Sequence, residues 1–377
     1  MSRAEATVQR VRGRADRAEF LAVARWVYRD RPRWVPPLEA DLARQIDPAR
    51  GDFFRHSRAE FFLARRGGRA VGRIAAMRNE RHLAAHADGV GFFGFFECED
   101  DAGTAAALLR AAEGWLRAEG LVSALGPANF SIQDEAGVLT EGFDLSPMTG
   151  MAYSPPYYAA LLEATGYGAA KDLWVYRLRR EDWRPEQGER IQRLAERVAP
   201  DVTVRCLRLA EMPAEAARLA SVFAEAWRDN WGAQPITEAE FLAYGREYRR
   251  FIDPRLILFA ERGGECLGIA VAMPNMNEAV AAGGGRLLPW GWWRLLRGRA
   301  RARSARVFLL GIRPSARRLG LPARFLGALR DVLERSRIDE LEFSWVLPEN
   351  VELVAMLERF GVRRVQVLRL YRKNLGD

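Results

Sequence analysis

The stretch Val307–Leu326 has the sequence VFLLGIRPSARRLGLPARFL, and the rest of the chain is interpreted around it. Its first five residues are apolar or glycine, which is typical of a buried strand. Pro314 is expected to end that strand, because proline has no N–H to donate to a ladder. A helix is predicted to begin near Ala323, since Pro322 is tolerated in a first helical turn. The stretch therefore predicts a strand, a tight turn and a helix N-terminus.

The turn in this stretch carries groups that suit an anion. Arg317 and Arg318 supply positive charge, and Gly320 allows a ligand to approach the backbone closely. The helix that follows presents free N–H groups and the positive end of its dipole. Together these features predict a phosphate or pyrophosphate site. The alternative is an ordinary strand–loop–helix connection in a chain rich in arginine.

Composition indicates the broad class of protein. The chain has 377 residues, of which 49% are hydrophobic and 28% charged, so it is globular and long enough for two domains. Its net charge is +9, and arginine supplies most of the positive charge, since lysine occurs only at Lys171 and Lys373. A basic surface favours anionic partners such as phosphorylated cofactors, anionic lipid or nucleic acid.

The cysteines and the hydropathy pattern bear on location. Cys98, Cys206 and Cys266 lie far apart without metal-binding spacing, which favours a reducing compartment. The N-terminus is charged rather than signal-like, and no apolar run approaches the roughly 20 residues of a membrane span. We expect a cytoplasmic protein, with a peripheral position on the inner face of the cytoplasmic membrane as the second interpretation.

Two hairpins indicate an internal duplication. Phe62–Met77 and Leu258–Met273 each consist of a strand, a Gly-Gly turn and a second strand, and their ends are offset by 273 − 77 = 196 residues. Near the end of each half, a Tyr-Arg pair occurs at Tyr176 and again at Tyr371, an offset of 371 − 176 = 195. Matched order and spacing of this kind favour a duplicated domain.

Each half follows the same order of predicted elements. An opening strand, an amphipathic helix, the hairpin, a central apolar strand, a helix, a fifth strand, a short helix and a closing strand succeed one another. This order predicts the α/β (α+β) class, with two domains, 1–180 and 181–377, each a mixed twisted sheet flanked by helices. The halves differ by insertions at 128–156 and 275–304, and long loops of this kind are more often functional than not.

The order of elements, with a phosphate-binding turn after the central strand, resembles the Gcn5-related N-acyltransferase (GNAT) superfamily, here as a tandem pair. The family turn Arg/Gln-x-x-Gly-x-Gly/Ala is similar to Arg317–Pro322, apart from the proline. The resemblance implies that the second half binds acyl-CoA, with coenzyme A as co-substrate and no metal. In the first half, Glu97–Asp101 places four acidic residues where phosphates would lie, and like charges repel. One coenzyme A site is therefore expected.

More specific marks resemble a group of bacterial tandem GNAT proteins that includes ceramide synthases. These marks are Gly91–Glu97, Gly126–Asn129, Asp134-Glu135, Gly142–Asp144, Tyr153–Tyr158, Asp229–Trp231, Asp253-Pro254 and Ser344-Trp345. The resemblance implies an acyl-CoA-dependent N-acyltransferase that joins an acyl chain to the amine of a sphingoid base, giving a ceramide-type amide. The alternatives are a short-chain N-acetyltransferase acting on a small-molecule or protein amine, and a non-catalytic GNAT-fold binding or regulatory protein.

The resemblance also implies which residues hold the cofactor. Backbone at Leu310, Gly311 and Ile312 is expected to pair with the pantetheine arm and the thioester. The pyrophosphate is expected at the turn and helix N-terminus, formed by Arg317, Arg318, Leu319, Gly320, Leu321 and Ala323. Asn350 either contacts pantetheine or caps the next helix, a position that asparagine favours. Leu357 stands where many members place a tyrosine that protonates the leaving thiolate, so the acid must come from elsewhere or from solvent.

The first-half insertion supplies a set of polar candidates for catalysis. Acyl transfer to an amine requires a base for the amine and a stabilised thiolate. Glu135 or Asp134 is predicted as general base, and Tyr153 as proton donor or positioning group. The alternative is that these side chains cap and pin a long loop. The predicted substrate-binding residues are Asn129, Tyr157, Trp231, Ser344 and Trp345.

Two further polar groups are candidates. His82 is a second choice for the general base, and although His86 shares its helix face, no third ligand is evident and no metal is predicted. Glu342 shares one face of a predicted strand with Ser344, and it is either a base buried in a cleft or a solvent-facing side chain.

The second-half insertion combines aromatic and basic residues. Residues 286–303 contain Trp290, Trp292 and Trp293 beside a dense run of arginine. Interfacial membrane segments have this composition, so contact with a membrane surface is one interpretation. A loop that packs its tryptophans onto the core is another. RNA binding is a third, but no recognised motif accompanies the run and no nucleic acid partner is expected. The oligomeric state stays open.

Overall fold

The computed structural model describes residues 5–228, 230–285 and 291–376, which form two compact units. Among these residues, the first unit comprises 5–173, 284–285 and 366–376. The second unit comprises 174–228, 230–283 and 291–365. In each unit helices pack on a mixed sheet.

The elements predicted for each half appear in the predicted order, and the structure adds further short elements between them. Those of the first half are β1 (Thr7–Arg10), α1 (Gly13–Val27), α2 (Glu39–Gln45), β2 (Arg58–Arg66), β3 (Arg69–Arg78), α3 (Glu80–His86), β4 (Val90–Cys98), α4 (Ala102–Ala118), β5 (Ser123–Gly126), β6 (Val138–Glu141), α5 (Tyr158–Glu163) and β7 (Gly168–Arg179). Those of the second half are α6 (Pro185–Val198), β8 (Thr203–Cys206), α7 (Met212–Ala226), α8 (Glu238–Glu247), β9 (Ile257–Arg262), β10 (Glu265–Pro274), α9 (Asn277–Ala281), α10 (Gly291–Arg301), β11 (Ser304–Ile312), α11 (Leu321–Arg335), β12 (Glu340–Val346), α12 (Val351–Arg359) and β13 (Arg363–Asn374).

The sheet of the first unit has the strand order β1-β2-β3-β4-β5-β13, and β6 pairs with β13. Neighbouring strands are antiparallel, except that β4 and β5 run parallel. Helix α4 buries one amphipathic stripe that includes Leu108 and Leu116, and this stripe packs in one core cluster with Phe93 of β4. The apolar central strand and the helix that follows it are therefore fixed to each other through the core.

The sheet of the second unit has the strand order β7-β12-β11-β10-β9-β8. Again one pair is parallel, β11 with β12, and the other neighbours are antiparallel. Helix α11 buries Phe325 and Leu329 in the same cluster as Val307 of β11. Helix α7 buries Phe223 in a separate cluster with Phe259 of β9. The strand and helix on either side of the turn described above are thus held by the core.

The closing strand of each sheet comes from the opposite half of the chain. In the first unit β5 pairs with β13, and Gly126 lies opposite Tyr371. In the second unit β12 pairs with β7, and Phe343 lies opposite Tyr176. From the repeat alone, each half would be expected to contain its own closing strand. In the structure each half instead supplies the closing strand of the other compact unit.

A repeated hydrogen bond ties the closing strand to the short helix in each unit. Tyr371 Oη donates to Glu163 Oε1 at 3.0 Å, and Tyr176 Oη donates to Glu358 Oε1 at 2.9 Å. The two glutamates are offset by 358 − 163 = 195, the same offset as the tyrosines. Burial raises the pKa of each tyrosine to about 12, so both phenols stay protonated donors. The duplication therefore extends to individual side-chain contacts.

Candidate functional site

A gap opens between the two parallel strands of the second unit. The β11–β12 register runs from Ser304 opposite Glu340 to Val307 opposite Phe343 and ends there. On its other side β11 stays paired with β10 as far as Ile312. One backbone edge of the last residues of β11 therefore lies outside the parallel ladder and can pair with an extended ligand.

The predicted pantetheine-binding residues lie on this stretch of β11. Leu310 and Ile312 are half-buried, and Gly311 is buried. A Cβ at Gly311 would lie 2.1 Å from the Trp227 ring, so only glycine fits between this strand and α7. Gly311 is therefore both a predicted pantetheine-binding residue and a residue that packing requires to be glycine.

The turn after β11 leads into an uncapped helix N-terminus. Pro314–Leu319 forms a 3₁₀ helix, Gly320 follows with φ 65°, and α11 begins at Leu321. Gly320 is the N-cap and provides no side chain to bind the first N–H groups, and Pro322 lies in the first turn. The Ala323 N–H is used within the turn, because it donates to the Gly320 carbonyl at 3.1 Å.

Two arginines flank this helix N-terminus. Arg317 and Arg318 are exposed, and within the described part of the chain neither guanidinium has an ion pair or hydrogen bond. Arg313, at the start of the turn, differs: it donates to Ser221 Oγ at 2.7 Å and pairs with Glu225. The two charges of the turn are therefore available to an anion, whereas Arg313 pins the turn to α7.

The corresponding gap of the first unit is filled by the chain itself. The β4–β5 register ends with Phe92 opposite Leu125. Beyond it, the Phe95 N–H donates to Asn129 Oδ1 at 2.7 Å, and the Ala128 N–H donates to the Phe93 carbonyl at 2.8 Å. The first-half insertion thus begins by occupying the space between the parallel strands.

The helix N-terminus of the first unit is capped by a carboxylate. Asp101 Oδ2 accepts from the Thr104 N–H at 2.8 Å at the start of α4. Arg66 donates to the same oxygen at 2.8 Å and also pairs with Glu99. The acidic stretch that the sequence places here therefore neutralises its own arginine and satisfies the helix N-terminus.

The acids of the first-half insertion lie beside the filled gap. Asn129 Nδ2 donates to Glu135 Oε2 at 3.1 Å, and Ser131 Oγ donates to Asp134 Oδ2 at 2.7 Å. Both acidic residues keep part of their surface open to solvent. Desolvation by the surrounding protein raises the pKa of Glu135 to about 7 and that of Asp134 to about 6. A carboxylate that solvent reaches and whose pKa is near neutrality is suited to accept a proton.

Tyr153 of this insertion and Tyr157 just after it act as hydrogen-bond donors to backbone. Tyr153 Oη donates to the Phe143 carbonyl at 3.0 Å, and Tyr157 Oη donates to the Cys98 carbonyl at 2.9 Å. Burial raises the pKa of both phenols above their usual value. Each hydroxyl therefore carries a proton at neutral pH and pins the insertion, which is the structural alternative that the sequence left open.

A buried polar cluster beneath the insertion was not predicted from the sequence. Tyr158 Oη donates to Glu97 Oε2 at 2.6 Å, and an Arg73 nitrogen lies 3.8 Å from Glu97 Oε1. Arg73 is 4% exposed and lies over the Phe20 ring at 4.9 Å. Burial raises the pKa of Glu97. The available signal was one arginine inside the otherwise apolar run of β3, because a buried charge requires a partner.

The His82 imidazole forms a structural pair. Its Nε2 lies 3.2 Å from both carboxylate oxygens of Asp88, and its ring packs edge-on against Phe92 at 4.8 Å. Burial lowers its pKa. Among the described residues, no group of three or more His, Cys, Asp or Glu side chains is arranged to hold a metal. The role of His82 as a general base stays a prediction.

Among the remaining candidates of the second unit, some are buried or cap a helix, and one is exposed. Asn350 Oδ1 accepts from the Leu353 N–H at 3.3 Å and caps α12, while Leu357 is fully buried in the core. Glu342 is also fully buried, and Arg177 Nε donates to it at 3.0 Å. Trp231, between α7 and α8, is 36% exposed. The solvent-facing interpretation of Glu342 is therefore wrong, whereas its role as a base stays a prediction.

The second-half insertion is described in part. Arg286 and Trp290 of this insertion lie outside the described residues, as does Asp229 between α7 and α8. Within α10, Trp293 is exposed, and the Arg297 guanidinium lies 4.4 Å from its ring centroid. In the part of the chain that the structure describes, no helix combines the length and apolar character needed to cross a bilayer.

Two sheets of the same strand order, each parting between its parallel strands, with an uncapped helix N-terminus in the second unit, define a tandem GNAT acyltransferase. No protein-family model matches the chain. The chain is 36% identical to the bacterial ceramide synthase of Caulobacter vibrioides, over 99% of this chain and 98% of that protein. It is 34% identical to protein YghO of Escherichia coli, over 96% of this chain and 93% of that protein. The chain therefore belongs to the family of the bacterial ceramide synthase.

Solved structures show the same fold. A tandem GNAT protein from the clavulanic acid biosynthesis pathway aligns over 99% of both chains with a TM-score of 0.59 at 12% identity. A GCN5-related N-acetyltransferase from Sphaerobacter thermophilus aligns over 98% of this chain and 96% of that one, with a TM-score of 0.56 at 16% identity. The predicted fold class, the predicted family and the assignment as an acyltransferase are confirmed. The roles of individual site residues stay predictions.

Proposed function

We propose that the protein transfers the acyl group of acyl-CoA to an amine, and that its second unit holds the acyl-CoA. The observation that carries this proposal is the open gap after Val307 and Phe343, followed by an uncapped helix N-terminus. The free strand edge matches an extended pantetheine arm, and the helix N-terminus with Arg317 and Arg318 matches a pyrophosphate. The filled gap and the Asp101 cap of the first unit support a single coenzyme A site.

In this reaction the amine nitrogen attacks the thioester carbonyl carbon. The C–N bond forms and the C–S bond breaks, with its electron pair moving to sulfur. The amine proton passes to a base, and the thiolate takes up a proton to leave as free coenzyme A. We propose Glu135 as the base, with Asp134 as the alternative, because both residues are exposed and both carboxyl groups have raised pKa values. No step is assigned to a metal.

The proposed acceptor is the amine of a sphingoid base, so the product is a ceramide-type amide. The support is the relative named bacterial ceramide synthase, which matches this chain over nearly its whole length. A short-chain N-acetyltransferase acting on a small-molecule or protein amine is the second candidate, since the solved structure from Sphaerobacter thermophilus is an N-acetyltransferase. The two candidates differ in the acyl chain and in the acceptor that they require.

We also propose that α10 contacts an anionic membrane surface on the cytoplasmic side. Residues 286–303 contain arginines and no acidic residue. The exposed Trp293, with Arg297 over its ring, has the aromatic and cationic character of an interfacial anchor. A lipid acceptor would be reached from such a surface.

The experiment that tests the function measures free thiol release and the amide product together. The protein is incubated with palmitoyl-CoA or acetyl-CoA and either sphinganine or a panel of short amines, and the products are identified by mass spectrometry. Palmitoyl transfer to sphinganine is expected. Acetyl transfer to short amines alone would favour the second candidate, and an absence of thiol release with both donors would exclude an acyl-CoA-dependent enzyme.

A further inference from the structure

Strand β12 is irregular at the point where the gap opens. Its register with β7 places Phe343 opposite Tyr176 and Val346 opposite Trp174. Ser344 and Trp345 therefore share a single opposite residue, which makes them a β-bulge. Bulges redirect a side chain and occur often beside active sites.

The bulge lies on the edge of the gap. The last pair of the β11–β12 register is Val307 with Phe343, and Trp345 follows two residues later. On β11 the residue two positions beyond Val307 is Leu309, which lies on the edge outside the parallel ladder. By register, Trp345 is thus level with the beginning of the edge that we propose pairs with the acyl-pantetheine arm.

The indole N–H of Trp345 has no acceptor among the residues that the structure describes. Its Nε1 atom is buried, and within the described residues no hydrogen-bond partner lies in reach. Its neighbour Ser344 is satisfied, since Arg306 Nε donates to Ser344 Oγ at 2.7 Å and that hydroxyl donates to Glu342 Oε1 at 2.9 Å. An indole is a donor only, and leaving a buried donor unpaired is destabilising. Such a group calls for a physical explanation.

A cation strengthens this donor. The Arg306 guanidinium carbon lies 5.4 Å from the centroid of the Trp345 ring. A cation at a ring face draws electron density from the π system, and the N–H becomes a better donor. Because the atom is shielded from water, a hydrogen bond from it to a charged oxygen would be worth more than the same bond in solvent.

We infer that the Trp345 indole N–H binds the carbonyl oxygen of the acyl thioester, and that Trp345 is a catalytic residue. The inference rests on the proposed function, since it requires the acyl-CoA to lie along β11. As the amine adds to the carbonyl carbon, the C=O electron pair moves onto oxygen, and the indole donates to this oxyanion. When the C–S bond breaks, the pair returns to restore the carbonyl, and the donor is ready for the next turnover.

The variant W345F tests the inference, because phenylalanine keeps an aromatic ring for Arg306 and removes only the donor. We expect kcat with palmitoyl-CoA to fall about 100-fold, with KM changed by less than about 3-fold, since the bond strengthens in the transition state. W345H, which returns a ring N–H, is expected to recover part of the rate. An unchanged kcat in W345F would overturn the inference.

A binding measurement separates this role from a structural one. The probes are a 2-oxoalkyl-CoA ketone, which keeps the carbonyl, and an S-alkyl-CoA of equal length, which lacks it. We expect the wild type to bind the ketone about 10-fold more tightly, as one hydrogen bond predicts, and W345F to bind both equally. W345F retaining the wild-type preference would overturn the inference.

Trp183 provides the matched control. It too has a buried Nε1 without an acceptor in the described structure, and Arg330 lies 5.8 Å from its ring, yet it precedes α6 and is not on the gap. W183F should leave kcat and the ketone preference unchanged, and thermal melting should confirm that both variants fold. A wild type that prefers the ketone but transfers no acyl group would refute the proposed function and leave the Trp345 donor in place. A wild type that binds neither probe would refute both.

Discussion

In the first unit the gap between β4 and β5 holds Asn129, whereas in the second unit the gap between β11 and β12 lies beside the strand edge Leu309–Ile312. The strands correspond at a fixed offset, since Cys98 and Ile312 pair with the equivalent glycines of the two hairpins, and 312 − 98 = 214. Phe93 and Val307 correspond in the same way, so Phe95, which binds the Asn129 carboxamide, has its counterpart on the edge of β11 beyond Val307.

This correspondence suggests what the open gap is for. In the first unit a carbonyl oxygen of the chain itself accepts a hydrogen bond from the central strand. In the second unit we propose that a carbonyl oxygen of the pantetheine arm takes that place. The helix N-termini of the two units differ in the same way, since Asp101 caps α4 with a carboxylate and Gly320 leaves α11 without a side-chain cap. In the first unit the chain's own side chains fill the gap and cap the helix, whereas in the second unit we propose that a ligand does so. Four predictions test this contrast.

The largest expected effect is that of giving the second unit the carboxylate of the first. G320D places a negative charge at the N-terminus of α11, at a residue with φ 65°. We expect coenzyme A affinity to fall at least about 100-fold by isothermal titration calorimetry. G320A is the control, because it adds the same Cβ, 3.2 Å from Val198, without the charge. If G320D bound coenzyme A as tightly as G320A, the phosphate site would lie elsewhere.

The second prediction concerns the acid beside the sealed gap. E135Q is expected to lower kcat about 10²–10⁴-fold, the usual range for a general base. A base with a raised pKa of about 7 is protonated and inactive below that pH, so wild-type kcat/KM should rise with pH and level off above about 7. D134N is the matched variant. If Asp134 is the base, D134N will show the large loss and the wild-type profile will level off near pH 6 instead.

The third prediction concerns Arg317 and Arg318 of the open turn. R317A and R318A should each raise the Kd for coenzyme A about 10-fold, because each removes a charge-assisted contact to phosphate. The salt dependence of binding should weaken in parallel. R262A, an exposed arginine at the end of β9, is the control and should change neither quantity. Equal behaviour of all three variants would mean that general basicity, and not this turn, attracts the ligand.

The smallest effect is expected from removing the Asn129 side chain from the gap of the first unit. N129A leaves the Phe95 N–H without its acceptor and should lower the free energy of unfolding by about 1–2 kcal/mol in urea titrations. The stoichiometry of coenzyme A should stay at one per chain, because Asp101 still caps α4. E141A, at an exposed position of the same insertion, is the control. Binding of a second coenzyme A to N129A would show that Asn129 alone distinguishes the two gaps.

Local chemistry made much of the fold predictable. Apolar runs, the Gly-Gly turns and the Gly320-Leu-Pro322 turn each carry their own signal, and the elements appear where those signals stand. The sealed state of the first unit was predictable in part, from the acids of Glu97–Asp101. The role of Asn129 was not, since no local signal tells a loop that binds its own strand from one that binds a ligand.

Long-range pairing could not be predicted. The closing strands share a Tyr-Arg pair at Tyr176 and Tyr371, so the sequence gives either strand equal claim to either sheet. The buried pair of Arg73 and Glu97 is separated along the chain and becomes visible only when β3 and β4 lie side by side. The bulge that redirects Trp345 depends on the register with β7, which is likewise a property of the assembled sheet.

The exchange of closing strands has a consequence for biosynthesis. Gly126 pairs with Tyr371, a separation of 371 − 126 = 245 residues, so the sheet of the first unit is complete only after almost the entire chain has left the ribosome. During translation the free edge of β5 is exposed to wrong partners, among them the similar strand β7 that emerges earlier. Folding in the cell should therefore depend on late C-terminal residues, and a chain truncated before Arg363 would accumulate as a species that chaperones retain.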